Sequence, residues 1–387
     1  MSVLTKNPEL FEDQINVFNL RNIRRIDRML LAIVLVLAFI GIMCLYSASV
    51  SGATIEDYHV RQLLNFLLGC GLAMVIVCLD MRFLISIAPM AYAISIGLLL
   101  LVAVIGHTAG GGQRWLNLGF RALQPSEMAK VALIYMLAWY LSQVKERIQK
   151  FPYLVLGFII MGVPAFLILK QPSLSTAMTL GPIALAMIYA AGCKRWHLVA
   201  LLVIGISAAP VAYFTVLTPY QKSRVDSFMK KEVTKEEAQK KNWQPIQARI
   251  TVGSGGVYGK GFQQGTQTHL SYLPAHHTDF IFALIAEETG FVGSVFVIVL
   301  FGLLLLRALE LSRRCPDLAG SLLGVGATTI LAVHILLNIA ITIGLLPVTG
   351  IPLPFLSHGG SFYLTTMMCI GTLLNLNIRR SLFDHMS

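Results

Sequence analysis

The reading of this chain turns on the stretch RITVGSGGVYGKGFQQGTQTHLSYLPAHHTDFIFALIAEETG, residues 249–290. It holds irregularly spaced glycines, three histidines, one aspartate and two glutamates, and it runs straight into the apolar residues 291–306. The rest of the chain is of another kind. Of its 387 residues 56% are hydrophobic and only 13% charged, against about 25% charged in an ordinary soluble domain. Repeated apolar runs of about 17–25 residues read as transmembrane helices. The fold class is therefore an all-α polytopic membrane protein, and residues 249–290 are polar chemistry at a membrane edge. The first apolar run starts at Met29, behind a polar segment with Lys6, Glu9, Glu12 and Asp13. That is too late and too long for a cleaved signal peptide.

Working outward, the net charge of +11 does not imply nucleic acid, because the basic residues gather in short loops beside helix ends rather than on one face. Arg21, Arg24, Arg25 and Arg28 precede a first span at 29–47. Further spans read at 63–79, 84–105, from Pro125, at 153–169, 177–191, 198–217, from about 290, at 318–345 and at 361–376. Ten spans with both termini cytoplasmic put every short basic loop inside, with tails at 1–28 and 378–387 and one membrane domain at 29–377. The long loop 218–288, between helices 7 and 8, then lies outside; its Lys/Glu-rich residues 230–241 suit a solvated helix. Long translocated loops largely escape the charge rule.

The start of the eighth span follows from charge depth. A span beginning at Asp279 would bury Glu287 and Glu288 about 12–14 Å further along the helix, and unpaired carboxylates there are costly. Starting near Gly290 leaves about 25 Å of helix up to Arg307, enough for a short span. Residues 278–288 then form a separate short helix at the outer interface or in a cavity, anchored by Phe280, Ile281, Ala283 and Leu284.

The polar clusters all fall on the outer side, so a site built by several loops faces outward. Asp279 has two readings, a general base for a hydroxyl and an N-cap of the short helix. His276 and His277 either orient it or are simply solvated. Glu127 and Lys130, at i and i+3 behind a Ser126 that reads as an N-cap, are either a local ion pair or a functional charge one turn inside an apolar run. Arg114 beside Trp115 offers a bidentate phosphate contact and an aromatic face, or an interfacial anchor. The glycines at 253–261 lack the strand-turn-helix context of a phosphate loop; close backbone approach or tight turning is the better reading. Cys44, Cys70, Cys78, Cys193, Cys315 and Cys369 show no metal-ligand spacing.

Taken together, Tyr46-Ser47-Ala48-Ser49, GQRWLNLG with QPSEMAK (112–130), QPSLSTA (171–177), residues 252–290 and GLLPVTGIPLPFLSHGGS (344–361) resemble the SEDS family of bacterial membrane proteins, the RodA/FtsW group. GTQTHLSYLP followed by HHTDFIFALIAEE is nearer RodA than FtsW. The resemblance implies a ten-helix peptidoglycan glycosyltransferase of the bacterial cytoplasmic membrane, serving wall elongation and cell shape. It implies lipid II as substrate, undecaprenyl diphosphate as leaving group, and a class B penicillin-binding protein plus other elongation-complex membrane proteins as partners. The family's essential aspartate falls on Asp279, its fourth-helix glutamate and lysine on Glu127 and Lys130, and its arginine on Arg114. Substrate contacts are expected from these and from Trp115, Arg249, Lys260, His277 and Ser357, with Mg²⁺ or Mn²⁺ an expectation of the diphosphate chemistry.

Three positions depart from the family pattern: Ala275 stands where an acid is usual, Ser173 replaces an aspartate, and His358 replaces a tyrosine. Two other functions compete, a lipid II flippase and a non-catalytic scaffold for a penicillin-binding protein. A flippase needs polar groups along the whole transmembrane path, and here they cluster at the outer end.

Overall fold

The computed structural model describes residues 26–50, 57–109, 112–117, 122–171, 173–215, 222, 243–269, 273, 275 and 277–384. The N-terminal arginines up to Arg25, the Lys/Glu-rich run at 230–241 and His276 lie outside them. The first half of the chain contains α1 (Arg28–Val50), α2 (Tyr58–Cys78), α3 (Met81–Ser86) and α4 (Ala88–Ile105). Then come β1 (His107–Ala109), β2 (Gly112–Asn117) and β3 (Ala122–Leu123), followed by α5 (Pro125–Val144), α6 (Phe151–Lys170), α7 (Leu174–Ala190) and α8 (Arg195–Thr215). The second half contains α9 (Trp243–Ser254), α10 (Thr266–His269), α11 (Ile281–Arg314), α12 (Leu318–Thr342) and α13 (Gly360–Asp384). Among the described residues seven helices are long and apolar enough to cross a membrane, and α7 is a shorter apolar helix.

Several boundaries move from their sequence positions. The span read at 84–105 is broken at Ile87, so that α3 caps on Asp80 and α4 starts at Ala88 with a proline in its first turn. The segment after α4, read as a loop, is a small antiparallel sheet in the order β1-β2-β3. Ser126 is not the N-cap of α5. Gln124 holds that place, without a side-chain bond. The last helix passes residue 377 and runs on to Asp384.

The bundle is assembled by close helix packing. α13 lies along α2, α11 along α12, and α4 along α5. Where α13 crosses α2, a Cβ on Gly371 would stand 2.9 Å from the Cα of Ala73, so the absence of a side chain lets the backbones approach. Asn375 fastens the same crossing by donating to the carbonyls of Ile76 at 2.6 Å and Leu79 at 2.8 Å.

The reading of residues 249–290 is settled at Gly290. α11 is two helices joined at this residue, with φ 68° and ψ −163°, a region open essentially to glycine alone. A break in a helix orphans carbonyls on one side and N–H groups on the other, and inside an apolar bundle each must find a partner. The glycine-rich turn supplies them. Lys260 N–H donates to the Glu287 carbonyl and Gly261 N–H to that of Glu288, both at 3.0 Å. In return, Phe291 N–H donates to the Gly256 carbonyl at 2.9 Å and Val292 N–H to that of Val257 at 3.1 Å. Close backbone approach is the use of Gly255 and Gly259, where a Cβ would run into the Ala286 and Glu288 carbonyls, and tight turning is the use of Gly256 and Gly261, whose φ is positive. Of its two expected places, the outer interface or a cavity, the short first half of α11 takes the buried one. Phe280 through Ala286 are at most 3% exposed.

Candidate functional site

The residues before α11 form a tight turn. Ala275, at φ 56°, presents its carbonyl to the N–H groups of Thr278, Asp279 and Phe280 at 3.1, 3.2 and 3.3 Å. Phe280 is the N-cap of α11 and makes no side-chain cap bond. Asp279 therefore stands one residue ahead of the N-cap, within reach of the helix's positive end.

The turn is fastened by main-chain contacts from three directions. Asn338 of α12 donates to the Asp279 carbonyl at 2.8 Å and to the Ile351 carbonyl at 2.7 Å. The Ser357 hydroxyl donates to the Thr278 carbonyl at 2.6 Å and accepts from Leu353 N–H at 2.8 Å. His358 N–H donates to the His277 carbonyl at 2.9 Å. Tyr58, at the start of α2, stacks on the His277 ring with centroids 4.2 Å apart. The Asp279 carboxylate lies against Gly350, where a Cβ would stand 3.5 Å from Oδ2. Asp279, His277 and Thr278 all remain partly exposed.

A second cluster lies deeper. Lys130 Nζ pairs with Glu127 Oε1 at 2.8 Å and donates to His334 Nε2 at 3.0 Å. His334 Nδ1 faces the Pro352 carbonyl at 3.3 Å. Lys130, Glu127 and His334 are 1%, 4% and 2% exposed. The i, i+3 pair is thus no solvated surface bridge. Its ammonium is held by two partners and lies 5.7 Å from the centroid of the Phe362 ring. Glu127 Oε2 and the hydroxyls of Ser126 and Thr365 are buried without a hydrogen-bond partner. The two clusters touch one segment, residues 350–352, and one helix, α12.

The other expected contacts are arranged differently. Arg114 Nε donates to the Gln171 carbonyl at 3.0 Å, and Gln171 is itself tied to the Leu99 carbonyl at 2.9 Å. Trp115 sits in β2 opposite His107. The hairpin reaches the start of α13 through Ser361, whose hydroxyl accepts from Gln124 N–H at 3.1 Å. Arg249 is exposed, its stem over Gly344. Lys260 is engaged with Glu287 at 2.6 Å and with the Thr266 hydroxyl at 2.7 Å.

Asp279, His277 and Ser357 are therefore brought together, and Glu127 and Lys130 stand behind them. Arg114, Trp115, Arg249 and Lys260 are held by separate contacts. Sequence reasoning missed His334, Asn338, Tyr58 and Gln62, whose amide donates to the Phe355 and Ser357 carbonyls at 3.3 Å each. A signal was present: His334 and Asn338, at i and i+4, interrupt an apolar run, where polar residues mark buried sites. Among the described residues no group of three or more His, Cys, Asp or Glu side chains converges as a metal site.

A partly exposed polar site on a bundle of long apolar helices defines a multi-pass membrane protein. The chain belongs to the FtsW/RodA/SpoVE family: the family model described as "Cell cycle protein" matches residues 27–382. One relative, "Probable peptidoglycan glycosyltransferase FtsW" of Trichlorobacter lovleyi, is 36% identical over 365 residues, covering 91% of this chain and 93% of its own length. "Peptidoglycan glycosyltransferase MrdB" of Escherichia coli K12 is 33% identical over 361 residues, covering 93% and 95%. The chain also superposes with a TM-score of 0.79 on a solved structure described as "Structural coordination of polymerization and crosslinking by a peptidoglycan synthase complex". That likeness is 29% identical and covers 92% of this chain and 98% of the other. Relatives of both branch names stand at near-equal identity.

Proposed function

We propose that this family member is a peptidoglycan glycosyltransferase that polymerises lipid II into glycan strands at the outer face of the bacterial cytoplasmic membrane. In this reading α1, α2, α4, α5, α6, α7, α8, α11, α12 and α13 are the ten spans, and both termini are cytoplasmic. The family match along nearly the whole chain supports the activity. The observation that carries the site is the Asp279 turn, whose main chain is fixed by α12 and by the 351–358 segment while its carboxylate stands beside Gly350 at a partly exposed surface.

The chemistry follows from that placement. Asp279 accepts the proton of a GlcNAc 4-hydroxyl as the oxygen attacks the anomeric carbon of a lipid-linked MurNAc. The bond to undecaprenyl diphosphate breaks, and charge develops on the diphosphate. Preorganised cations stabilise such charge most in water-poor surroundings. Arg114 and exposed Arg249 are the groups assigned to touch it. Lys130 is buried and acts through the field it sets up with Glu127 and His334. Lys260 is committed to Glu287. Mg²⁺ or Mn²⁺ would take its ligands chiefly from diphosphate oxygens and water, as phosphate sites commonly do, and would supply further charge neutralisation on the leaving group.

Elongation and cell shape are the assigned role, on the GTQTHLSYLP stretch. A class B penicillin-binding protein that crosslinks the product is the assigned partner, alongside other elongation-complex membrane proteins. The likeness to a solved synthase complex that couples polymerization with crosslinking supports that assignment.

The test is polymerisation of labelled lipid II by the purified chain with its partner, wild type against Asp279→Asn. Glycan from the wild type, with a loss of about 10²–10⁴-fold in the variant, is expected for a missing general base. Equal polymer from both would remove Asp279 from that role. Translocation of lipid II in vesicles without any polymer would favour the flippase.

A further inference from the structure

We infer that α12 sets the distance between the site's buried cation and its base, with His334 positioning Lys130 and Asn338 positioning Asp279. The inference rests on the glycosyltransferase reading above.

Hydrogen-bond chemistry fixes the state of His334. A lysine ammonium only donates, so the nitrogen facing Lys130 at 3.0 Å, Nε2, is the bare one. The ring proton is then on Nδ1, facing the Pro352 carbonyl at 3.3 Å. One neutral tautomer satisfies both neighbours, as when a backbone carbonyl orients a functional imidazole. The Phe362 ring, with its centroid 4.7 Å from that of His334, limits the tilt. Lys130 is thereby held by two of its three protons, one on Glu127 and one on His334.

Asn338 plays the matching part for the base. Both amide protons are used, one on the Asp279 carbonyl and one on the Ile351 carbonyl. His334 and Asn338 are one turn apart, about 6 Å along a rigid helix, and their loop partners Pro352 and Ile351 are adjacent. Lys130 and Asp279, on different elements far apart in sequence, are thus indexed against the same helix and two adjacent carbonyls. Simple satisfaction of buried polar groups would stabilise the fold without being felt in turnover. Positioning is felt in turnover first.

The experiment uses the full chain with its partner and lipid II, and records kcat, KM and detergent melting for His334→Leu, His334→Gln, Asn338→Leu and Asn338→Asp. Glutamine places an amide oxygen near the position of Nε2 and so can accept from Lys130. Aspartate keeps the shape of asparagine but has no N–H to donate. His334→Leu and Asn338→Leu are expected to lower kcat about 10–100-fold, with KM within about threefold. His334→Gln recovers most of its loss, and Asn338→Asp recovers none. Equal impairment of His334→Gln and His334→Leu, a loss carried by KM, or a loss matched by the unfolded fraction would overturn the inference. Should the leucine variants fail to fold, a His334→Gln enzyme with under about a tenth of wild-type kcat overturns it equally. A wild-type chain that makes no polymer sinks the functional reading instead. Fully active His334 variants beside a dead Asp279→Asn sink only this one.

Discussion

Asp279 and the pair Glu287–Glu288 flank one short helix, and the protein treats them in opposite ways. Glu287 is fully buried, and its Oε1 takes the Lys260 ammonium at 2.6 Å, Gln267 N–H at 2.8 Å and the Ser254 hydroxyl at 3.5 Å. Glu288 accepts from the Ser47 hydroxyl and from Gln263 N–H at 3.2 Å. These acids are ligands for their own loop, and their side chains are what is held. At the other end the contacts grip the main chain of residues 277–279, and the carboxylate keeps a partly exposed place. Acids that serve the fold are saturated by it. At Asp279 the backbone is what is fixed, and the residue remains partly exposed. The same distinction separates the two lysines: Lys260 closes a loop, whereas Lys130 sits behind the site on two buried partners.

The contrast is sharpest in activity. Asp279→Asn is expected to lose about 10²–10⁴-fold in polymerisation while its melting in detergent stays within about 0.5 kcal/mol of wild type, since the substitution keeps the backbone groups by which the turn is anchored. Gly290→Ala should do the reverse through the fold. A Cβ there meets the backbone of Gly259, Val257 and Tyr258, and the conformation itself costs about 1–3 kcal/mol for any other residue. A loss of about 3 kcal/mol or more is expected. Gly302→Ala on the same helix, where a Cβ meets nothing within 4 Å, should stabilise by up to about 1 kcal/mol. If both glycine variants melt alike, the break is not what the glycine-rich turn is built around. Glu287→Gln comes next, with about 2 kcal/mol lost from a buried charge-assisted network. Turnover per folded molecule should then change by less than about threefold. Lost turnover at unchanged melting would erase the difference between the two ends.

Much of this arrangement was legible in advance, for identifiable reasons. The apolar runs marked the helices because span length is dictated by membrane thickness. The break at Gly290 followed from the cost of two carboxylates at depth. What the local sequence left open was whether the short helix sits at the outer interface or in a cavity. Phe280 through Ala286 are buried because α9, α12 and the 350–357 segment cover them, and local sequence carries no record of that cover. The N-cap expected at Ser126 failed. Ser126 has the right chemistry for a cap, but α5 starts behind Gln124. His334 and Asn338 were visible as polar interruptions, yet their partners Lys130, Pro352, Ile351 and Asp279 come from three other segments, which only the fold brings together.

The smallest expected effect lies at the far end of α11, where the same rule applies to a third acid. Asp27 accepts Leu30 N–H at 2.7 Å at the start of α1 and takes Arg307 Nη2 at 2.5 Å and Nε at 3.2 Å. Burial alone would raise its carboxyl, but the hydrogen bonds from Arg307 and Leu30 outweigh that and hold it below the ordinary value of 3.8. A depressed folded value means that the stabilisation is complete above the ordinary value and is lost as pH falls through the folded one. Asp27 is saturated by donors, as Glu287 is, so it belongs with the structural acids. Asp27→Asn should cost about 1 kcal/mol at neutral pH, chiefly as a weakened cap and a lost ion pair with the partly exposed Arg307, with polymerisation unchanged per folded molecule. The gap in melting between variant and wild type should narrow only below about pH 4. A gap that closed near neutrality would mean that Asp27 is not held charged by Arg307, and a loss of turnover would place it, against the rule, among the acids of the site.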